Sequence, residues 1–409
     1  MGTLIVCGSD CEISRRQDRT LGAARGLFAL RSFSLPRRLQ GIEKSVIRQV
    51  FDRAHPGSIN LGLGEPDLPT PDVIRRAAVK VITEEQNGYT THAGLPSLRE
   101  KISNDYSYLD GNREKVIVTA GSQEALYLAV MSLVDEGDEV LLPNPGFVAY
   151  PTIVRMAGGV PRFYRLPASR NFGFDAAEFR NALTSRTKVV VCISPSNPTG
   201  QTLKRDDLRV IAESLKGHDA YLISDEIYRD LYYEDEQPES VSTFHDRSIV
   251  ISGLSKSMSM TGWRLGWLCG DEEVIRAALV LHGYVTTCAS AVSQKASLAS
   301  WTEEARDARA RIRATFRERR EHLLSQIEQE LGLRAVTPDG AFYTMLDVSK
   351  YGPSMSVAEA LLEERVITVP GAAFGSESEG FLRVSFCAEP STLTEGVRRI
   401  KKGLERLIW

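Results

Sequence analysis

The stretch Ser248-Ile-Val-Ile-Ser252 runs directly into Gly253-Leu254-Ser255-Lys256-Ser257. A short run of β-branched residues predicts a strand buried on both faces, as in a parallel sheet covered by helices. The small residues that follow predict a loop at the carboxyl end of this strand. In open α/β sheets this is the edge where ligands bind. The stretch therefore predicts a parallel sheet with Lys256 in a loop at its binding edge.

The same pattern repeats through the middle of the chain. Four earlier runs rich in β-branched and apolar residues lie at 115–119, 139–142, 188–193 and 220–224. Helical patterns lie between them, for example at 122–134 and 204–214. Strands that alternate with helices predict βαβ units. We therefore expect the α/β fold class, with a large, doubly wound, mostly parallel sheet.

Two domains are expected, because 409 residues exceed the length at which a single core usually stops growing. After Gly270 the pattern changes to a long helix rich in Arg and Glu at about 304–331, strand-like pieces at 341–345 and 381–386, and a final amphipathic helix to 407. These elements predict a smaller α+β domain. We assign residues 72–294 to the large domain, and residues 34–71 with 295–409 to the small one.

The N-terminal residues 1–33 form a predicted extension of unknown role. They contain five arginines, few acids and no sustained apolar period. A transit peptide has a similar composition. A non-catalytic extension, or a translation start placed too early, fits equally well, and we favour these simpler interpretations.

Composition excludes several classes of partner. The formal net charge is −3, which does not favour nucleic acid or an anionic membrane surface. No apolar run approaches the roughly 20 residues of a membrane helix. The six cysteines are scattered, which favours a reduced, cytoplasmic location. Cys7 and Cys11 have the spacing of metal ligands, but no second Cys or His pair follows nearby, so no metal site is predicted.

Unusual residues follow the first and third predicted strands. Ala120-Gly121-Ser122-Gln123-Glu124 opens a helix, and exposed backbone N–H groups there favour a phosphate. The alternative is an ordinary helix cap. The loop 194–200 contains two prolines and a glycine that could aim the amide of Asn197, although a plain turn explains it equally.

The fourth and fifth strands are followed by ionisable residues. Asp225, at the end of an apolar strand, must find a cationic partner or become neutral. A pyridinium N–H would be such a partner, and a helix N-cap is the alternative. Lys256 lies among small residues, where desolvation would lower its pKa as a Schiff-base lysine requires. Ser255 and Arg264 could both reach a phosphate. The order of these features along the chain argues against the alternative that Lys256 is merely a solvated charge.

The chain resembles the fold-type I, class I/II aminotransferases of the aspartate aminotransferase superfamily. The resemblance covers about residues 35–407. Its most specific motif is Gly253-Leu254-Ser255-Lys256-Ser257 with Thr261-Gly262-Trp263-Arg264-Leu265-Gly266. Leu63-Gly64-Glu65-Pro66-Asp67, the segments 88–90 and 94–99, and Pro338-Asp339-Gly340-Ala341-Phe342-Tyr343 agree with it.

The resemblance implies pyridoxal 5′-phosphate as cofactor and gives each motif residue a role. Lys256 would hold the cofactor covalently, Asp225 would pair with the pyridine nitrogen, and Asn197 and Tyr228 would hydrogen-bond the ring hydroxyl. Phe147 would stack on the ring. The phosphate would be bound by Ser122, Gln123, Ser255 and Arg264, and by Tyr89 from a neighbouring subunit. Arg383 would bind the substrate carboxylate, assisted by Gly64 and Asn197.

The implied activity is ping-pong transfer of an amino group between an L-amino acid and a 2-oxo acid, in a homodimer with shared active sites. By family analogy 2-oxoglutarate is the acceptor. Phe147 replaces the Trp or Tyr of many relatives, and the arginine that binds a distal carboxylate has no clear counterpart. We therefore expect either aspartate- and glutamate-like or broad specificity, with Phe147, Phe342 and Tyr343 lining a pocket that also accepts apolar or aromatic side chains.

Two alternatives use the same scaffold. A β-lyase or another pyridoxal-phosphate enzyme would share the cofactor residues, and release of pyruvate and ammonia from cystathionine would reveal it. A regulator's effector domain would need a preceding winged-helix domain, for which 33 residues are too few.

Overall fold

A computed structural model describes residues 34–407, and the chain divides into two units between Gln40 and Gly41. The described part of the first unit, residues 34–40, contains the 3-10 helix Arg37–Leu39. The predictions for residues 1–33, including Cys7 and Cys11, lie outside the described residues.

Residues 41–407 contain twelve strands and twelve α-helices. The strands are β1 (Ile59–Asn60), β2 (Val116–Thr119), β3 (Glu139–Asn144), β4 (Val160–Arg165), β5 (Thr187–Ile193), β6 (Tyr221–Asp225), β7 (Ser248–Gly253), β8 (Gly266–Gly270), β9 (Tyr343–Asp347), β10 (Val366–Ile367), β11 (Val369–Pro370) and β12 (Phe381–Ser385). The helices are α1 (Val46–Asp52), α2 (Asp72–Glu84), α3 (Pro96–Asn104), α4 (Ser122–Leu133), α5 (Ala149–Met156), α6 (Ala176–Ala182), α7 (Arg205–Ser214), α8 (Glu272–Val285), α9 (Ala291–Ser297), α10 (Glu303–Leu331), α11 (Ser354–Glu363) and α12 (Pro390–Glu405).

Seven strands form the main sheet in the order β2-β8-β7-β6-β5-β3-β4. All are parallel to one another except β8, which is antiparallel to both β2 and β7. The five runs predicted from sequence correspond to β2, β3, β5, β6 and β7. The predicted α/β fold with a mostly parallel sheet is confirmed.

Both faces of this sheet are buried, which explains the continuous apolar runs. In β5, for example, Val189 and Val191 pack with α4, α5 and α8 on one face. Val190 and Cys192 pack with residues of α6 and α7 on the other. Since neighbouring side chains point to opposite faces, a strand covered on both sides needs apolar residues at every position.

Sequence reasoning missed β4 and β8. Strand β4 is the edge strand, and most of its side chains are exposed or half-buried, so its pattern lacks the apolar run of the inner strands. Strand β8 is fully buried, but a glycine stands at each of its ends. Glycine weakens the strand signal.

The C-terminal elements form a second core. Strands β11, β12 and β9 make an antiparallel sheet, and β1 pairs in parallel with β10. Leu61, just after β1, is buried with Phe316 of α10 and Ile400 of α12. The segment before α2 thus packs with C-terminal elements, as the domain assignment expects, while the boundaries themselves stay a prediction.

One predicted strand is displaced. The sequence predicts a strand at 341–345, but β9 begins at Tyr343 because Ala341 adopts a positive φ of 57°. Left-handed backbone cannot continue a strand. Within residues 34–407 no helix is long and apolar enough to cross a membrane.

Candidate active site

The carboxyl ends of the main strands open into one cavity of about 300 Å³. All the predicted site residues except Tyr89 line it: Gly64, Ser122, Gln123, Phe147, Asn197, Asp225, Tyr228, Ser255, Lys256, Arg264 and Arg383. These residues come from both cores and span more than 300 positions of sequence. The fold therefore brings together the residues that sequence reasoning had singled out.

Asp225 is the last residue of β6 and is 6% exposed. Tyr150 donates its hydroxyl to Oδ2 at 2.9 Å, and the backbone N of Ile227 donates to Oδ1 at 3.2 Å. Burial raises the pKa of Asp225 to about 6. Among residues 34–407 no lysine or arginine forms an ion pair with it. The N-cap alternative is wrong, because the residues after Asp225 form turns and no helix begins there.

Lys256 lies just beyond β7 and is partly buried. Its Nζ donates to the backbone oxygen of Gly64 at 2.6 Å. Burial lowers the pKa of Lys256 to about 8. A lysine that is partly desolvated and bound to a carbonyl is not the freely solvated surface charge of the alternative interpretation.

Helix α4 and Arg264 form the polar end of the cavity. The N-cap of α4 is Gly121, with φ +88° and no side chain to cap the helix, so Ser122 is the first helical residue and not the cap. Arg264 donates through Nη2 to the backbone oxygen of Ala120 at 3.3 Å. A Cβ at Gly121 would lie 2.5 Å from Arg264 Nη2. A guanidinium held against a helix N-terminus is suited to bind an anion.

Arg383, on β12, is 2% exposed. Its Nη1 donates to Asn197 Oδ1 at 2.7 Å, and its Nη2 donates to the backbone oxygen of Gly62 at 2.5 Å. The guanidinium carbon lies 4.2 Å from the ring centre of Tyr343 and 4.8 Å from that of Phe374. Stacking between two rings fixes the plane of the guanidinium, as bidentate binding of a carboxylate requires.

Two tyrosines complete the wall near Arg383. The hydroxyls of Tyr228 and Tyr343 are 2.9 Å apart, and burial with this contact raises the pKa of Tyr228 well above its usual value. A Cβ at Gly64 would lie 1.7 Å from the Tyr343 hydroxyl. Only glycine therefore fits at position 64.

Some predictions about the site need correction. Phe342 was expected to line the pocket together with Phe147 and Tyr343, but only the latter two do so. Phe342 is fully buried in the second core instead, with its ring centre 5.9 Å from Lys256 Nζ. Tyr89, which is predicted to act from a neighbouring subunit, lies outside the cavity of its own chain and is 89% exposed; its role stays a prediction.

Sequence reasoning also missed several site residues. Tyr150 contacts Asp225 only because α5 packs against the sheet, which no local pattern reveals. Ile47, Leu63 and Ile193 line the cavity as ordinary apolar residues. Thr261 could have been found, because it lies in the motif that contains Arg264.

Comparisons with known proteins identify the family of the chain. The family model "Aminotransferase class I and II" matches residues 56–400. A protein of Methanocaldococcus jannaschii named "Probable aspartate aminotransferase" is 36% identical over 378 residues, covering 90% of this chain and 99% of that protein. The aspartate/prephenate aminotransferase of Thermus thermophilus is 36% identical over 354 residues, covering 85% and 91%. The solved aspartate aminotransferase from Thermus thermophilus with maleate has a TM-score of 0.86 at 34% identity, covering 91% of this chain and 100% of that chain.

The chain therefore belongs to the class I and II aminotransferase family, and it is a transaminase. This confirms the predicted family, fold class and enzyme type. No observation favours the lyase or the regulator alternative. Membership implies pyridoxal phosphate as the cofactor, and the cavity fits that group. Arg264 and the N-terminus of α4 offer an anion site for the phosphate, and Lys256 offers an amine for the aldehyde. The buried carboxylate of Asp225, which has no cationic partner among residues 34–407, suits a ring nitrogen.

Proposed function

We propose that this transaminase holds pyridoxal phosphate on Lys256 and moves amino groups between L-amino acids and 2-oxo acids. The observation that carries the proposal is the buried carboxylate of Asp225, which faces the cavity and has no cationic partner among residues 34–407. When bound, the cofactor supplies an electron-withdrawing ring that stabilises charge developing at the substrate α-carbon.

Asp225 would keep that ring protonated. A carboxylate whose pKa burial has raised to about 6 gains most from a hydrogen-bonded cation. Tyr150 fixes its orientation by donating to Oδ2. Asn197 and Tyr228, from the loops after β5 and β6, would direct their polar groups at the ring hydroxyl. Phe147 would pack on the ring face.

Lys256 would move the proton at the substrate α-carbon. Its pKa of about 8 leaves a useful fraction of neutral amine near neutral pH, where a general base works best. In the structure its Nζ donates to Gly64, so that the amine is already directed across the cavity from β7.

At the polar end, Arg264, Ser255, Ser122 and Gln123 would bind the cofactor phosphate. At the other end, Arg383 would bind the substrate α-carboxylate in its stacked plane, with Gly64 and Asn197 beside it. Only two arginines, Arg264 and Arg383, line the cavity among the described residues.

For the substrate we propose broad specificity with 2-oxoglutarate as acceptor. The names of relatives support aspartate as one donor. Ile47, Leu63 and Phe147 line the cavity, which supports acceptance of apolar or aromatic side chains as well.

We also propose a cytoplasmic homodimer in which Tyr89 completes the partner's site. Tyr89 is 89% exposed, and Tyr284, near the end of α8, is 91% exposed. A Cβ at Gly283 would lie 3.5 Å from the ring of His92, so these two segments are neighbours. Exposed aromatic residues on adjacent segments support a protein–protein interface. Cys192 and Cys269 are free thiols, which supports a reducing compartment.

An absorbance spectrum, recorded before and after adding single amino acids, tests the proposal. We expect a band of lysine-bound pyridoxal phosphate that some amino acids convert to the pyridoxamine form, ranking the donors. A protein that shows no such band after reconstitution with pyridoxal phosphate would overturn the cofactor assignment.

A further inference from the structure

A partly buried cluster next to the polar end of the cavity consists of Glu124, His282 and Thr286. Glu124, in the first turn of α4, accepts hydrogen bonds from the backbone N of Ala120 at 2.5 Å and from Thr286 Oγ1 at 2.6 Å. His282 Nδ1 lies 2.9 Å from the same carboxylate. His282 is completely buried. The cluster thus joins the end of α8 to the loop before α4.

The groups around Glu124 stabilise its charged form. Burial opposes ionisation of Glu124, but hydrogen bonds from His282, Thr286 and Ala120 outweigh it and hold its pKa below the usual value. An ionised carboxylate in the first turn of a helix is also favoured by the helix dipole. Glu124 is therefore an ionised carboxylate held in one position, and it accepts a hydrogen bond from the backbone N–H of Ala120.

That N–H belongs to the residue which Arg264 holds from the other side. Arg264 Nη2 donates to the backbone oxygen of Ala120, while Glu124 accepts from the backbone N of Ala120. The clearances here are small, because a Cβ at Gly266 would lie 2.5 Å from the backbone N of Ser122. A shift of a few tenths of an ångström in Ala120 would move both Arg264 and the first N–H groups of α4.

We propose that Glu124, held by His282 and Thr286, is a positioning residue for the phosphate-binding part of the cavity. It touches neither cofactor nor substrate. It fixes Ala120 so that Arg264 and the N-terminus of α4 meet a phosphate group in the correct geometry. The inference rests on the proposed function, since it assumes that the cofactor's phosphate binds at this end.

The test compares pyridoxal phosphate with pyridoxal, which lacks the phosphate. Apoprotein of the wild type, Glu124→Ala, Glu124→Gln and Thr286→Val is titrated with each compound. We expect Glu124→Ala to weaken pyridoxal phosphate about tenfold and pyridoxal less than about twofold, the size of a lost hydrogen bond to a charged group. Glu124→Gln keeps an acceptor for Ala120 and should recover most of the affinity.

Glu139→Gln is the matched control. Glu139 is also a buried carboxylate that accepts from a threonine, Thr184, at 2.6 Å, but it lies at the opposite edge of the sheet. The Glu139→Gln substitution should change the affinity for neither pyridoxal phosphate nor pyridoxal. A general structural role for Glu124 would weaken both compounds alike.

An unchanged ratio of the two affinities in both Glu124→Ala and Thr286→Val would overturn the inference while leaving the proposed function intact. Should Glu124→Ala not fold, Thr286→Val and Glu124→Gln still report the ratio. A wild-type protein that binds neither compound would overturn the proposed function itself.

Discussion

Two buried carboxylates of the main sheet differ in what surrounds them. Glu139, the first residue of β3, is 2% exposed and lies at the amino edge of the sheet. Thr184 donates to it at 2.6 Å, Arg186 also donates to it, and Arg162 lies 3.7 Å away. The hydrogen bond from Thr184 and the two guanidinium groups hold the pKa of Glu139 below its usual value.

Asp225, the last residue of β6, lies at the carboxyl edge and is 6% exposed. It receives hydrogen bonds from Tyr150 and Ile227 but has no cationic partner among residues 34–407, and burial raises its pKa to about 6. Arginines of the chain thus neutralise the charge of Glu139, whereas the charge of Asp225 has no cationic partner among residues 34–407. A buried charge left in this state is a marker of function.

The largest expected effect is on activity. Asp225→Asn should lower kcat/KM at least about a hundredfold, because it removes the charge that stabilises a protonated ring nitrogen. Glu139→Gln should leave kcat/KM within about twofold, because Glu139 is not among the residues that line the cavity. Steady-state transamination of aspartate with 2-oxoglutarate measures both. Equal losses of kcat/KM in the two variants would show that Asp225 has no special role in catalysis.

Arg383 is a buried cation that, like Asp225, has no partner of opposite charge among the described residues. Its Nε has no hydrogen-bond partner within the described part of the chain, and its two Nη atoms bind only Asn197 and a carbonyl. Arg383→Lys should raise KM for the amino acid about tenfold or more, because lysine cannot bind a carboxylate bidentately. Initial rates at several amino-acid concentrations give KM and kcat separately. An unchanged KM would mean that the substrate carboxylate binds elsewhere.

We expect Glu139→Gln to reduce the stability of the apoprotein more than Asp225→Asn does, although Asp225→Asn reduces activity more. Glu139→Gln should lower the free energy of unfolding of the apoprotein by about 1–2 kcal/mol, since its arginine partners are largely exposed and solvent screens them. Asp225→Asn should be neutral or stabilising in the apoprotein, because it removes a buried charge that lacks a cation. Urea unfolding of both apoproteins distinguishes the two, and a marked loss of stability in Asp225→Asn would show that its carboxylate is a structural group.

The pH dependence of apoprotein stability should have opposite signs at the two carboxylates. The folded pKa of Asp225, about 6, is above its usual 3.8, so its contribution is present below about pH 3.8 and is lost as the pH rises to about 6. Glu139 has a lowered pKa, so its contribution is present above about 4.5 and is lost as the pH falls. Between pH 4 and 6, Asp225→Asn should therefore remove a decline in stability with rising pH. An unaltered slope would contradict the raised pKa.

The sequence predicted which residues meet at the carboxyl edge of the sheet better than it predicted the residues around them. Lys256, Asp225 and Asn197 follow strands whose apolar runs are easily recognised, and the carboxyl ends of parallel strands must meet at one edge. The helix N-terminus at Ser122 follows from the same logic. The roles proposed for these residues rest on the family resemblance, because the sequence pattern alone was equally consistent with ordinary caps and turns.

What the sequence could not predict depends on packing between distant segments. Tyr150 reaches Asp225 from a helix 75 positions earlier, and nothing local distinguishes it from a core tyrosine. His282 and Glu124 are separated by 158 positions. Strand β4 was missed because an edge strand is half exposed. Phe342 was misplaced because it packs in the second core, where its ring centre lies 5.4 Å from that of Phe316, and no local pattern reveals this contact.

The most direct test of the account is to trap the cofactor on the protein. Wild-type enzyme incubated with pyridoxal phosphate is reduced with borohydride, digested and analysed by mass spectrometry. We expect the added mass of one reduced cofactor on the peptide that contains Lys256, and none on Lys256→Ala. Label on a different lysine, or no label on a folded wild-type protein, would contradict it.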